Sequence, residues 1–332
     1  MTDRQAAKAI VQRFYADLGS HASAAAEVMQ SACAPDLLWR GMHPFGTIHG
    51  PDAVAAAFWT PLRTAFRDIQ RREQVFFAGT NHIDGHASTW VVSMGHLLGL
   101  FDAPFLGIAP TRKATFLRYA DFHRVENEQI VETACYVDIM DFLLQAGRLP
   151  LATPTGANVL TLGPRTQDGL LHARQPDEVG ETTLNVLNAM LDDLIGGGLE
   201  SPEEDLARSW TEDMVWFGPA GIGTTYTRPR YREQHAGPFE ETLEFVRHNG
   251  HQCRVAEGHY AAFFGYPSLT MKMRGGFLGL PASAREADMR IVDVYRREGD
   301  KLAENWIFID VPHFLLMQGI DVLTQARSLP AR

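Results

Sequence analysis

The sequence predicts an α+β protein made of two tandem domains. The first observation behind this is an internal repeat. "FHRVENEQIVETACYVDIMDFLLQAG", from Phe122 to Gly147, returns about 170 residues later as "VYRREGDKLAENWIFIDVPHFLLMQG", from Val294 to Gly319. At one constant offset, Arg124, Glu126, Glu132, Asp138, Phe142, Leu143, Leu144 and Gly147 meet Arg296, Glu298, Glu304, Asp310, Phe314, Leu315, Leu316 and Gly319. A period this long exceeds any solenoid repeat and marks duplicated whole domains. The second observation is order: in each half, helical periodicity comes first and β-rich runs follow, which is an α+β plan. The third is length, since 332 residues accommodate about two domains.

Each element follows from local pattern. Thr2 and Gln5 form a candidate capping box for a helix whose Ile10, Val11, Phe14, Tyr15 and Leu18 recur at helical spacing. A short Ala-rich helix follows, then a strand around Leu37–Arg40. Pro51 suits the first turn of a second long helix. β-rich runs near Arg71–Phe77, Ala87–Gly95, Ala114–Val125 and Ile130–Val137 are bounded by Gly, Asn and Pro. A short helix, Phe142–Ala146, closes the unit. The repeat extends backwards: "PDLLWRGMHPFGTIHGPDAV" lies against "EDMVWFGPAGIGTTYTRPRY", pairing Asp36 with Asp213, Trp39 with Trp216 and Gly46 with Gly223, and "PFLGIAPTRK" matches "GFLGLPASAR". Residues 149–178, rich in Pro, Gly and Thr, break the periodicity and read as a linker, with "ANVLTL" a candidate short strand. The expected domains are thus 1–148 and 179–332, the second opening on a helix over Thr182–Leu194.

Composition bounds the function. A net charge of −10 argues against nucleic acid and anionic membrane as partners. No apolar run approaches the roughly 20 residues that span a bilayer, and the start lacks an apolar secretory core. Cys33, Cys135 and Cys253 share no metal-like spacing and read as reduced thiols, which points to a cytoplasmic protein. "NHIDGHA" offers His82, Asp84 and His86, but Asp84-Gly85 is a turn signal, so no metal is expected. "GPAGIG" has the wrong glycine order for a dinucleotide loop, and "RDIQRRE" reads as a solvated face.

The ordered set of helices, "HPFG…GPDAV", "FLGIAPT" and "DFHRVENEQIVE…D…FLLQAG" resembles the SnoaL-like polyketide cyclases, within the nuclear-transport-factor-2-like superfamily. The resemblance spans nearly all of both halves. It implies two cone-shaped domains, each a curved antiparallel sheet wrapped around helices with a central pocket. It also implies cofactor-independent acid–base chemistry on a small or medium carbonyl compound, of cyclase, isomerase or lyase type, with hydrolysis an outside reading. The two halves are expected to superpose and to form an internal pseudo-dimer, with a homodimer also open. The superfamily holds non-enzymatic members too, so a non-catalytic small-molecule binding or assembly module is the alternative. The acid/base aspartate of the family's closing motif falls on Asp138 and on Asp310. The first half departs from that motif, with Ala134 where the second half has Trp306.

Strand alternation narrows the candidates. Tyr119, Asp121 and His123 share one face of their strand, and Tyr136 and Asp138 share a face of the next. Asp293 with Tyr295, and Phe308 with Asp310, repeat the arrangement. If those faces line the cone, each half sets two carboxylates among aromatic rings, where desolvation suits a carboxyl to proton transfer. Asp138 and Asp310 equally fit helix N-caps, and Asp121 and Asp293 equally fit satisfied structural carboxylates. Ketosteroid isomerases of the same superfamily place a base after the first strand, a Tyr on the first helix and an Asp at the oxyanion site. By position His43, Tyr15 and Asp121 correspond; the second half has Ala220 and Leu191 at the first two places and keeps only Asp293. The first half is therefore expected to hold the working pocket. Trp39, Trp59, Trp90, Trp216 and Trp306 read as core, and some of them line any pocket, together with Tyr136, His123 and Tyr295.

Overall fold

The computed structural model describes residues 2–20 and 23–330. They fall into two compact units. One runs to Leu149 and adds Arg165–Arg174 and the stretch from Leu323; the other comprises Pro150–Pro164 and Gln175–Val322. The segment expected as a linker is thus divided between them. In the second unit Gly156 N–H donates to Ile222 O at 3.0 Å, and Ala157 makes an isolated bridge to Thr224, so "ANVLTL" contributes a single bridge in place of a strand. In the first unit Phe76 N–H donates to Gly169 O and Leu171 N–H to Phe76 O, at 2.8 and 2.7 Å.

The first unit opens with α1 (Arg4–Ser20), whose apolar stripe Ala7, Val11, Phe14, Tyr15 and Leu18 is buried. Its cap is Asp3, not Thr2: the Asp3 carboxylate accepts from Gln5 N and Ala6 N at 2.9 and 3.2 Å. After α2 (Ala25–Ala32) and β1 (Cys33–Gly41) come β2 (Thr47–His49), α3 (Pro51–Val54), a π-helical turn (Ala55–Trp59) and α4 (Thr60–Ala65). Then β3 (Phe66–Thr80), β4 (Thr89–Phe101), β5 (Ala114–Glu126) and β6 (Gln129–Val137) form long antiparallel ribbons, closed by α5 (Ile139–Gln145). The sheet order is β2-β1-β6-β5-β4-β3, with β1 and β6 the one parallel pair among these neighbours. Bulges in β3, between Arg67 and Gln70 and between Glu73 and Val75, bend it. Gly95 makes the second bend possible, because a Cβ there would sit 2.1 Å from Arg72 O.

The second unit repeats the plan. Helices α6 (Asp177–Gly196) and α7 (Glu203–Ser209) precede β7 (Trp210–Phe217) and β8 (Thr224–Tyr226). Next come α8 (Arg228–Tyr231), a π-helical turn (Arg232–Ala236) and α9 (Gly237–Thr242). The sheet is completed by β9 (Leu243–His248), β10 (Cys253–Glu257), β11 (Tyr260–Met273), β12 (Ser283–Glu298) and β13 (Lys301–Ile309), followed by α10 (Val311–Met317). Its order is β10-β11-β12-β13-β7-β8, with β9 also paired to β11. Both domains are α+β, with helices set against a bent sheet. The last helix, α11 (Val322–Ser328), buries Leu323 and Ala326 in the core of the first unit. No helix among the described residues is long and apolar enough to cross a membrane.

Candidate functional site

Strand register decides which faces point inward. Asp121 pairs across to Cys135 and Tyr119 to Val137, so Thr133, Cys135 and Val137 share the inner face with Tyr119, Asp121 and His123. Tyr136, opposite Ala120, lies on the other face, as do Trp90, opposite Arg124, and Trp306, opposite Val294. Of the two strand carboxylates expected on each inner face, one is therefore placed there, because a shift of one residue moves a side chain to the opposite face. Asp138 and Asp310 are N-caps. Their carboxylates accept from Asp141 N at 3.0 Å and His313 N at 3.2 Å, and pair with Arg118 at 3.4 Å and Arg290 at 3.3 Å. Both side chains thus act as helix caps.

In the first domain the inner face carries a linked set of its own side chains. Tyr15, on α1, places its hydroxyl 3.2 Å from Asp121 and 2.8 Å from His123 Nε2. His123 Nδ1 lies 2.9 Å from the Thr133 hydroxyl. One proton arrangement satisfies the chain: Thr133 donates to His123 Nδ1, His123 Nε2–H to the Tyr15 oxygen, and Tyr15 to Asp121. Burial holds His123 neutral, its pKa pushed down to about 4. Burial and the Asp121 charge push the Tyr15 phenol well up. Arg71, in the run read as solvated, instead enters the cone and pairs with Asp121 at 3.0 Å. Its guanidinium lies 3.6 Å over the Tyr15 ring and 4.3 Å over the Tyr119 ring. Burial alone would lower the Arg71 pKa, but Tyr119, Tyr15 and Asp121 raise it, so the charge is retained. Trp39 and Trp59 pack in the hydrophobic core of this domain. His43 is half-buried on the turn between β1 and β2, off the strands that carry Asp121.

The second domain encloses a cavity of about 140 Å³. Asp293 lies on its wall with Tyr295, Asn305, Tyr231 and Trp216. Asn305 Nδ2 donates to Asp293 Oδ1 at 2.9 Å and to Val294 O at 3.1 Å. The phenol of Tyr295 is pushed well up by burial and then by the Asp293 charge, with which it also hydrogen bonds. Tyr231, on α8, is likewise pushed up by burial and by Asp293. His235 stacks on Trp216 at 3.8 Å, and His251 on Phe263 at 3.9 Å.

The repeat shows how the two inner faces differ. Arg71 pairs with Leu97, which pairs with Leu117; His248 pairs with Leu269, which pairs with Met289. Leu117 and Met289 stand at the offset that takes Asp121 to Asp293, so His248 occupies the register position of Arg71. By the same offset Ile291 replaces Tyr119. Trp59 and Ala236 each end their π-helical turn and each precede a residue followed by Pro, Pro61 and Pro238. Guanidinium to imidazole, Tyr to Ile and Trp to Ala all remove volume from the wall. Sequence reading placed Asp293, Tyr295 and Trp216 near a pocket but missed Tyr231, His235, His248 and Asn305, which lie far from the repeat's matched signature or swap type within it.

The buried histidines make a pH dependence. His96 and His123 are pushed down to about 4, and His235 and His251 to about 3, all chiefly by burial. An unfolded His titrates near 6.5. The unfolded chain therefore binds protons that the fold refuses, so this stability is present above pH 6.5 and is lost as pH falls from 6.5 toward 3. Thermal denaturation across that range should show a falling midpoint. His235→Phe, which keeps a ring on Trp216, should flatten the fall; an unchanged slope would show that His235 is protonated in the fold.

Family comparison fits these two units. The model of the SnoaL-like polyketide cyclase family matches residues 9–146, and that of the SnoaL-like domain matches residues 200–305. The chain is a tandem of two SnoaL-like domains. A solved structure of a protein named for the SnoaL-like polyketide cyclases, from Jannaschia sp. CCS1, is 18% identical, and the match covers 46% of this chain and 100% of that one with a TM-score of 0.36. An NTF2-like protein from Burkholderia xenovorans LB400 is 16% identical over 42% of this chain and 97% of its own, TM-score 0.34. One from Burkholderia thailandensis E264 is 20% identical over 45% and 100%, TM-score 0.33. No curated protein matches. At these identities the solved structures say nothing about activity. Among the described residues, no group of three or more His, Cys, Asp or Glu converges as a metal site would in either SnoaL-like domain.

Proposed function

We propose that the chain is an acid–base enzyme acting on a small carbonyl compound, and that the second SnoaL-like domain is its working half. The observation that carries this reading is the cavity over Asp293. Asp293 is 5% exposed on a largely apolar wall, within reach of a bound molecule, which is where a general base must stand. Asp293 takes the role of base, abstracting a proton α to the carbonyl. Tyr231 supplies an O–H donor on the same wall for the developing enolate oxygen, while Tyr295, hydrogen bonded to Asp293, holds the base in place. The chemistry needs no cofactor, in keeping with what the family resemblance implies. The reading prefers the second domain to the first because Arg71 already pairs with Asp121 at 3.0 Å there.

The volume bounds the substrate. An engineered cavity of about 150 Å³ takes one benzene, so about 140 Å³ suits a single-ring compound. Incorporation of deuterium α to the carbonyl of cyclohexanone, followed by NMR in heavy water, tests the reading. Protein-dependent exchange that saturates with ketone supports it; exchange no faster than in buffer across a set of single-ring ketones contradicts it and leaves the non-catalytic binding module.

A further inference from the structure

The two domains differ in how they treat one charge. In the first, a cation is built in: the Arg71 guanidinium sits on the rings of Tyr15 and Tyr119 at 3.6 and 4.3 Å and on Asp121 at 3.0 Å. In the second, the same register position carries His248, and the space is cavity. Asp193, Glu200, Asp205 and Asp293 are among the residues that line that cavity, Asp293 the one buried acid of the four, and among the described residues lining it there is no Lys or Arg. Asp193 and Asp205 share Arg208 outside, at 3.0 and 2.6 Å, which partly offsets those two. Arg254, whose field reaches Tyr295, is bonded to Asn188 and His251 at 2.7 and 2.9 Å. The lining histidines add no charge near neutral pH, since burial lowers the pKa of His235, His248 and His251. Ser268, 2% exposed, also lies on the wall with its hydroxyl lacking a hydrogen-bond partner. Its oxygen fills the space beside Gly265, where a Cβ would fall 1.9 Å away.

We propose that the second domain's cavity selects a small organic cation, an amine protonated or quaternary on a body of about one ring. Its charge rests between Asp293 and the aromatic wall, the place Arg71 fills in the first domain. A carboxylate or phosphate ligand meets the buried Asp293 carboxylate and no Lys or Arg among the described residues of that wall. A cationic head instead gains both the carboxylate and the faces of the rings. The inference rests on the same cavity as the proposed function but not on its chemistry.

Calorimetric titration of the full chain with benzylammonium, benzyl alcohol and benzoate, which differ mainly in charge, tests it. Benzylammonium should bind about tenfold or more tighter than benzyl alcohol, and benzoate should show no saturable binding. Asp293→Asn should erase the preference. His248→Arg restores the built-in cation of the first domain, so it should abolish benzylammonium binding while the circular dichroism spectrum is unchanged. Equal binding of the three probes, a preference for benzoate, no saturable benzylammonium binding, or undiminished binding by a folded His248→Arg variant would each overturn the proposal. Ketone exchange lost with cation binding intact would sink only the catalytic reading; the reverse would sink only this one.

Discussion

Asp293→Asn is expected to lower α-proton exchange of cyclohexanone by about 100-fold or more, the usual contribution of a positioned general base. The substitution keeps shape and the contact with Asn305 while removing basicity. The loss should therefore fall on kcat, with little change in KM. Asp121→Asn should leave the exchange largely unchanged in protein that remains folded. Both carboxylates stand at the same point of the repeat, with Asp121 2% and Asp293 5% exposed, so burial does not separate them. What separates them is the neighbour from the first long strand. Arg71 holds Asp121 in an ion pair at 3.0 Å, whereas Asp293 has His248 at the matching register position. If Asp121→Asn abolishes exchange and Asp293→Asn does not, the assignment of the domains is reversed.

Arg71→Ala is expected to be the most destabilising single change in the first domain. Arg71 is 12% exposed in its side chain and Asp121 2%, so removal of the guanidinium strands a buried carboxylate. Breaking one side of such a pair costs about 3–5 kcal/mol, which for a domain of this size is on the order of 10 °C in Tm. Tyr15 and Tyr119 also lose the cation over their rings. The double variant Arg71→Ala with Asp121→Asn should recover much of the loss, since the stranded charge is gone. Thermal denaturation of the single and double variants reads this directly. Additive losses, with no recovery in the double variant, would mean that the pair contributes little and that Arg71 acts through packing alone.

The α+β plan and its duplication were legible because they rest on patterns that survive drift: the matched run from Arg124 to Gly147, the period of the strands, and Pro51 at a helix start. The inner face of the central strand was legible as well, since Tyr119, Asp121 and His123 alternate regardless of tertiary context. The neighbouring strand was harder. Tyr136 and Asp138 share a face, but which face depends on the pairing of Asp121 with Cys135, and register is a long-range property. Arg71 was misread for a similar reason. A run of charge reads as solvated unless the bend beside Gly95 turns one member inward. The hollow of the second domain was hidden in single substitutions, Trp59 to Ala236 and Arg71 to His248, each unremarkable alone. Only the register lines them up around one space. Asp138 and Asp310 were weighed as caps from sequence, and the hydrogen bonds to Asp141 N and His313 N agree with that reading.

The most direct test of the second domain as the working half is to fill its cavity. Ala236→Trp places in the second domain the ring that the first carries at Trp59, at the end of the same π-helical turn. Exchange kinetics on this variant, with its fold checked by circular dichroism, isolate the cavity from every other part of the chain. The account expects a folded protein that no longer exchanges the α-protons of cyclohexanone. A folded Ala236→Trp variant with wild-type exchange would contradict it, because the chemistry would then proceed away from the cavity over Asp293.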